Sequence, residues 1–410
     1  MHVPTIERTG GAASFPEPAR PEGEGLRLEA VPAPLAGHVV MGIVLTIITF
    51  GIYRFWYRTG LRRYYWNNTR LAGDRFEYTG TGKELFIGFL IAIAIVIPIY
   101  LIVALVGLVG GAVLGPVLAS IIGALIMPAV IQILTYRARR YRLLRTRYRG
   151  LRFHQTGTGI GYLMRTLKWI ILTGLTLGII YPYLRRALER YRIEHTWYGS
   201  ARGSFSAPVK PMMKMWLLMW GLVVLAMIAG AMVSTSLALG SGGGAIGALL
   251  LMILMVVLLP VAWQAFRVRE FRAFVGGTKI GDVALSSDLK TGSVVWVWIS
   301  YYLMLLVLLV GGFALATYLA VGRVGYFKPE DVQDYVAAGH GQFAIVIAIV
   351  LVGVLSAVVT ELYLRRRLWA LRARSITVYN LASLDQVIQS AAQEAGGVGD
   401  AFDSGFDIAG

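Results

Sequence analysis

Thr69-Arg70-Leu71-Ala72-Gly73-Asp74-Arg75-Phe76-Glu77-Tyr78-Thr79-Gly80-Thr81-Gly82 leads within a few residues into Leu85–Val109, a long run without charge. The alternation in Arg75-Phe76-Glu77-Tyr78 predicts a short strand. Glycines in Thr-Gly-Thr-Gly then supply turn dihedrals at no steric cost. A bilayer core of about 30 Å takes about 20 apolar residues per helix, so the run that follows is long enough to cross a membrane. The segment recurs without gaps at Thr146–Gly159, with 9 of 14 positions identical. A degenerate copy starts at Thr196 with Arg202, Gly203 and Phe205, and a fourth occupies Phe274–Thr291 with Gly276, Gly277 and Gly281. Pro128-x-x-x-Gln132 before Arg137 likewise matches Pro260-x-x-x-Gln264 before Arg269. The chain therefore reads as one recurring unit: a helix leaving the membrane as an Arg/Tyr-rich extension, a short strand with a glycine turn, and re-entry. Such strands are expected to pair into one β element that caps the helices and leaves few free edges.

Composition places these units in a membrane. Of 410 residues, 57% are hydrophobic and 15% charged, and mean hydropathy is +0.65. A soluble domain is usually about 45–50% apolar. Six runs are long enough to span: Leu85–Val109, Ala112–Leu134, Met215–Leu237, Ala245–Phe266, Val294–Ala320 and Phe343–Tyr363. Of the 39 Lys and Arg residues, 32 fall in five segments: 54–83, 137–152, 185–214, 267–290 and 365–374. The positive-inside rule assigns all five to the cytoplasm. That makes helical hairpins of 85–134, 215–266 and 294–363, with a cytoplasmic C-terminus.

Two shorter apolar segments, Val39–Trp56 and Trp169–Leu184, share the pattern Leu-Thr-x-x-Thr-x-Gly-Ile. The second lies between two basic segments, which a single crossing cannot satisfy. Both are expected to be re-entrant or short tilted helices, bent at small and hydroxyl residues. The expected class is an all-α polytopic membrane protein with six full spans, two such short helices and small repeated cytoplasmic β segments. Residues 1–35 and the acidic stretch 378–410 are expected as disordered tails flanking a membrane domain over 36–377.

Thr49-Phe50-Gly51-Ile52-Tyr53-Arg54-Phe55-Trp56, Arg62-Arg63-Tyr64-Tyr65-Trp66-Asn67-Asn68-Thr69-Arg70 and Arg75 to Phe86 together resemble the YjgN-like bacterial inner-membrane family. Thr176-Leu177-Gly178-Ile179 with Tyr181-Pro182 adds to the likeness, which covers about residues 36–380. The resemblance implies a multi-pass plasma-membrane protein of a Gram-negative bacterium. That family is of uncharacterised function, so it implies no catalytic or binding residue.

The chemistry-bearing residues are few. With no cysteine there is no thiolate site. The five histidines have no metal-ligand spacing. Gly80-Thr81-Gly82-Lys83 lacks the spacing and the final Ser or Thr of a phosphate loop. No enzyme activity, metal or cofactor is expected. Two readings remain. The first is a transporter or channel for a small solute or lipid, its candidate path marked by Thr46, Thr49, Gly51, Thr173, Thr176, Gly178, Gln132 and Gln264. Paired, polar, interrupted helices are the usual pointer to such a site. The second is a non-transporting scaffold that holds anionic lipid or a partner protein through an Arg-rich face. Its candidate headgroup contacts are Arg62, Arg63, Arg139, Arg140, Arg142, Arg185 and Arg186, each basic residue near the surface being worth about 1 kcal/mol. The expected partners are the lipid bilayer and anionic phospholipid headgroups, without nucleic acid; the sequence leaves homo-oligomerisation open.

Overall fold

The computed structural model describes residues 25–240, 242–321 and 340–387. The chain enters through β1 (Leu26–Arg27) and β2 (Glu29–Ala30), then forms an elbow of α1 (Ala36–Ile48) and α2 (Arg54–Asn67). β3 (Thr69–Leu71) and β4 (Asp74–Tyr78) lead to the long pair α3 (Gly82–Val109) and α4 (Leu114–Leu144). β5 (Thr146–Tyr148) and β6 (Leu151–Gln155) lead to a second elbow, α5 (Gly159–Leu175) and α6 (Tyr181–Glu194). β7 (Thr196–Tyr198) and β8 (Ala201–Phe205) precede α7 (Lys210–Ala238) and α8 (Gly242–Gly276). β9 (Thr278–Ile280) and β10 (Val283–Ser287) precede α9 (Thr291–Val321) and α10 (His340–Val359). A π-turn over Thr360–Arg365 joins α10 to α11 (Arg366–Arg374), followed by β11 (Ile376–Tyr379) and a 3-10 helix, Leu381–Gln386.

All 11 strands form one antiparallel sheet in the order β1-β11-β10-β9-β8-β7-β6-β5-β4-β3-β2. The two strands at the ends of that order, β1 and β2, are separated only by Leu28, so the ring closes through the chain itself. Arg27 pairs with Thr377 on one side and Ala30 with Thr69 on the other, while the Leu28 amide donates to the Ile376 carbonyl at 3.0 Å. Closure removes the free edges that strands this short could not otherwise protect. The expected all-α class is corrected accordingly: the fold is mostly helical, but the repeated β segments, expected to pair into one small element, form an 11-stranded closed sheet. Residues 26–30 and 376–386, largely within the segments expected as tails, are part of that structure. The rest of those segments, 1–24 and 388–410, lies outside the described residues.

Each connecting turn is two residues long. Ala72 and Gly73 (φ 51° and 82°) and Arg149 and Gly150 (φ 47° and 78°) take left-handed dihedrals that match the twist of a hairpin. One set of side chains fills the ring. Leu71, Tyr148, Tyr198 and Val378 are buried in its centre, with Leu28, Phe76, Phe153 and Leu285 packed around them. The buried phenols are satisfied by backbone, Tyr148 donating to the Leu71 carbonyl and Tyr198 to that of Tyr148, at 3.0 and 2.9 Å. Leu381, Leu384 and Val387 join the same cluster, so the 3-10 helix stoppers the ring.

One junction recurs around the ring. The residue after each outgoing strand donates its amide to the carbonyl that ends the next helix: Val31 to Asn68, Thr79 to Arg145, Thr156 to His195, Ser206 to Gly277 and Asp288 to Ser375, at 2.8–3.0 Å. At each helix end a hydroxyl caps the last turn, Thr69 bonding Tyr65, Thr146 Arg142, Thr196 Arg192, Thr278 Phe274 and Ser375 Arg372, always through the carbonyl. The fifth junction joins β10 to β11, and β11 in turn pairs with β1. Thr-Gly-Thr-Gly proves to be the start of the outgoing helix. Thr81 and Glu84 form a reciprocal capping box, and Thr158 accepts from the Gly161 amide.

Among the described residues, six helices are long and apolar enough to cross a membrane: Gly82–Val109, Leu114–Leu144, Lys210–Ala238, Ile246–Gly276, Thr291–Leu315 and Val346–Arg374. In their most apolar stretches only 6 to 17% of residues are buried, so most of this surface is left for lipid. The spans pair chiefly within the hairpins α3/α4, α7/α8 and α9/α10, while contacts between units concentrate near the ring.

Candidate functional site

The two elbows share one turn. In each, a residue at φ 50° (Phe50, Leu177) precedes a glycine at φ 89° or 86° (Gly51, Gly178). The Gly51 amide donates back to the Thr46 carbonyl and the Gly178 amide to that of Thr173, both at 2.7 Å. The threonine hydroxyls are used locally. Thr46 bonds the Gly42 carbonyl and Thr49 that of Leu45; Thr173 bonds Trp169, and Thr176 bonds Leu172. Thr49 also accepts from the Tyr53 amide at 2.9 Å, bracing its turn. The tips are apolar and outward, Phe50 being 98% and Leu177 77% exposed. The hydroxyls therefore satisfy the bent backbone, and the side chains offered at the tips are hydrocarbon.

Position in the unit relates the elbows to the spans. Gly51, Pro128, Gly178 and Pro260 each stand 18 residues before the capping threonine of their unit, at 69, 146, 196 and 278. At glycine the chain turns back, and at proline the helix continues (Pro128 in α4, Pro260 in α8). Gln132 and Gln264 lie one turn further on, half-buried and without a side-chain hydrogen bond among the described residues.

The arginines expected to face headgroups are drawn largely into the protein. Arg185 on α6 pairs with Glu270 on α8 at 2.6 Å, and Arg267 bonds the same carboxylate at 2.9 Å. Arg139 on α4 lies 3.9 Å from Glu189 on α6, which also receives Arg192 at 3.3 Å. Burial pushes the Glu189 carboxyl up, but the Arg139 and Arg192 guanidiniums outweigh it and hold the group below the usual carboxylate range. Arg62 bonds the Tyr78 hydroxyl, and Arg63 the Gly80 carbonyl. Arg140 and Arg142 are half-buried and engaged with neighbours. Arg186 is half-buried, its Nε unbonded. Sequence reading missed the carboxylates that receive these cations, Glu189 and Glu270. The signal was there: each is an acid within an Arg-rich helix end, four residues after Arg185 in one case and three after Arg267 in the other.

Between the ring and the spans lies a chamber of 610 Å³. Its floor is Leu28, Phe76 and Ile376 from the ring, and its walls are Tyr65 and Trp66 of α2, Phe271 of α8, and Leu368, Trp369 and Arg372 of α11. Both indole N–H groups are satisfied by capping threonines, Trp66 on Thr146 and Trp369 on Thr69, at 3.0 and 3.1 Å. Arg365, also in the wall, pairs with Glu361 at 2.7 Å. Burial, with the Glu361 carboxylate adding to it, lifts the Tyr65 phenol far above its ordinary range, so it stays protonated. Arg372 differs from Arg365, the other cation in the wall. Among the described residues its half-buried guanidinium has no carboxylate partner, and the charged group it senses is Arg267, of the same sign. No group of three or more metal-ligating side chains occurs among the described residues.

Helical hairpins hung on a closed sheet, with six apolar helices of spanning length, define a multi-pass membrane protein built around a stoppered ring. The chain belongs to a family described as bacterial protein of unknown function (DUF898), whose model matches residues 35–404. The resemblance read from the motifs holds at that level, an uncharacterised bacterial family; the match does not carry the YjgN name. Comparison with curated proteins and with solved structures finds no match in either.

Proposed function

We propose that the protein is a transporter of the bacterial inner membrane for a small amphipathic solute or lipid, with the ring on the cytoplasmic side and the chamber as its binding site. The observation that carries this reading is the chamber: 610 Å³, within the usual range of about 300–1,000 Å³ for ligand sites. It is walled by aromatic and aliphatic groups and supplied with arginine. Access follows from the elbows. Where α1/α2 and α5/α6 turn back, no helix continues across the bilayer, so the inner leaflet can reach the ring from the side, and α2 is itself a chamber wall. The scaffold reading has less support, because several of the arginines it relies on are bonded within the protein.

The test is flux in vesicles that hold the purified full chain, scored with leaflet-labelled fluorescent phospholipids and with small organic ions. Wild-type protein should equilibrate at least one class about tenfold faster than empty vesicles. Ala373 of α11 also lines the chamber, and Ala373→Trp, which fills it, should return the rate to background with the melting temperature kept. Equal rates with and without protein for every class would end the transport reading.

A further inference from the structure

Charge in and around the chamber does not balance. Arg185, Arg267 and Arg372 lie along the interface of α6, α8 and α11, and the carboxylate among them is Glu270, already bonded by two of the three. Arg372 is left to line a cavity whose other walls are mostly indole, phenyl, phenol and aliphatic groups, the second cation there, Arg365, being paired with Glu361. A half-buried guanidinium repelled by a neighbouring cation is poorly placed unless an anion joins it, since charges out of water are stable chiefly when paired. Guanidinium donors match the geometry of a phosphate or carboxylate, which they can grip in two-point fashion. The apolar walls favour a ligand with a hydrocarbon or planar part. Trp66 and Trp369 have their N–H groups bonded elsewhere, so what they offer a ligand is ring surface.

We propose that the chamber holds the phosphate of an anionic membrane lipid, with the oxyanion on Arg372 and the first part of the lipid tails against Trp66, Trp369 and Leu368. The lipid is favoured over a free anion because the chamber lies between the ring and the spans and most of its lining is aromatic or aliphatic. This rests on the chamber being the site of the proposed function, and it names the class of ligand. Selectivity then comes from the charge of Arg372 at one end and from apolar contact with Trp66, Trp369 and Leu368 at the other.

The experiment is native mass spectrometry of the delipidated full chain, titrated with phosphatidylglycerol or phosphatidylcholine of the same chains. Wild-type protein should prefer the anionic lipid about tenfold. Arg372→Gln should remove the preference, Arg372→Lys should keep most of it, and Arg269→Gln, the same loss of charge at an exposed site on α8, should leave it intact. Equal losses in Arg372→Gln and Arg269→Gln would mean diffuse surface attraction and overturn the proposal. Displacement of the lipid by equimolar inorganic phosphate would overturn it too, by making the ligand a free anion. A photoactivatable phosphatidylglycerol, used on unaltered protein, removes any dependence on how the variants fold. Its adducts should map to peptides holding Trp66 or Trp369, and adducts confined to the outer spans would refute the site. Binding with these properties but no flux would leave the lipid site standing and sink transport; flux unaffected by Arg372→Gln would do the reverse.

Discussion

Gly51 and Pro128 occupy the same place in consecutive units, yet at Gly51 the chain folds back and at Pro128 it runs on through the apolar layer. Gly178 and Pro260 repeat the contrast in the next two units. Glycine reaches the left-handed dihedral that reverses the chain, and Phe50 or Leu177 before it is forced there too. Proline takes away one amide and leaves the direction unchanged, a defect that a helix in lipid tolerates. The sequence around each break agrees. α5 has Arg165 and Lys168 near its middle, which leaves too short an apolar stretch to cross, while α3 ahead of α4 is 28 residues long with charge only at Lys83 and Glu84. One unit therefore yields either an elbow of two shorter helices or a hairpin of two long ones, and the elements on the ring side hardly change.

The joints between an elbow unit and its spanning neighbours give the strongest way to break this arrangement. Glu270→Gln leaves Arg185 and Arg267 without their carboxylate at a site where the glutamate side chain is 4% exposed. Removing one partner of a buried pair costs about 3 kcal/mol. The melting temperature in detergent should fall clearly, and a change within error would show that the network does not hold the units together.

The breaks themselves come next in size. Gly178→Val should destabilise by about 1–2 kcal/mol, because a branched residue resists φ of 86°. Pro128→Ala should be neutral or slightly stabilising. If the glycine variant were as harmless as the proline one, the elbow turn would not depend on its backbone.

The two elbows can be told apart by their threonines, with the smallest effect. Thr49 accepts from the Tyr53 amide in addition to bonding Leu45, whereas the hydroxyl of Thr176 bonds only carbonyls, those of Leu172 and Thr173. Thr49→Val should cost about 1 kcal/mol and Thr176→Val less. The reverse order in thermal unfolding would contradict the bracing role given to Thr49.

Much of the frame could be read from residue order. The six apolar runs match the six long helices, because hydrophobic length is a local property. The strand signals at 75–78 and 152–155 were legible for the same reason, as alternation ended by glycine. The elbows were legible as a pair through Leu-Thr-x-x-Thr-x-Gly-Ile, though the pattern could not tell whether its hydroxyls line water or cap their own helix. The chamber was not legible. Tyr65, Trp66, Phe271, Trp369 and Arg372 are widely separated in the chain, and each reads alone as part of an aromatic and basic helix end.

The amino-acid order by itself determined which segments are long and apolar enough to span, where the basic residues cluster and where the chain must bend. These follow from composition over one or two helical turns and from the dihedral freedom of single residues. Only the tertiary structure decided that strands of two to five residues close into a ring, that the first and last of them complete it, and that Arg139, Arg185, Arg267 and Arg365 find a carboxylate while Arg372, among the described residues, does not. Such short strands carry too little pattern to name their partners, and a salt bridge is set by which helices the closed ring brings side by side.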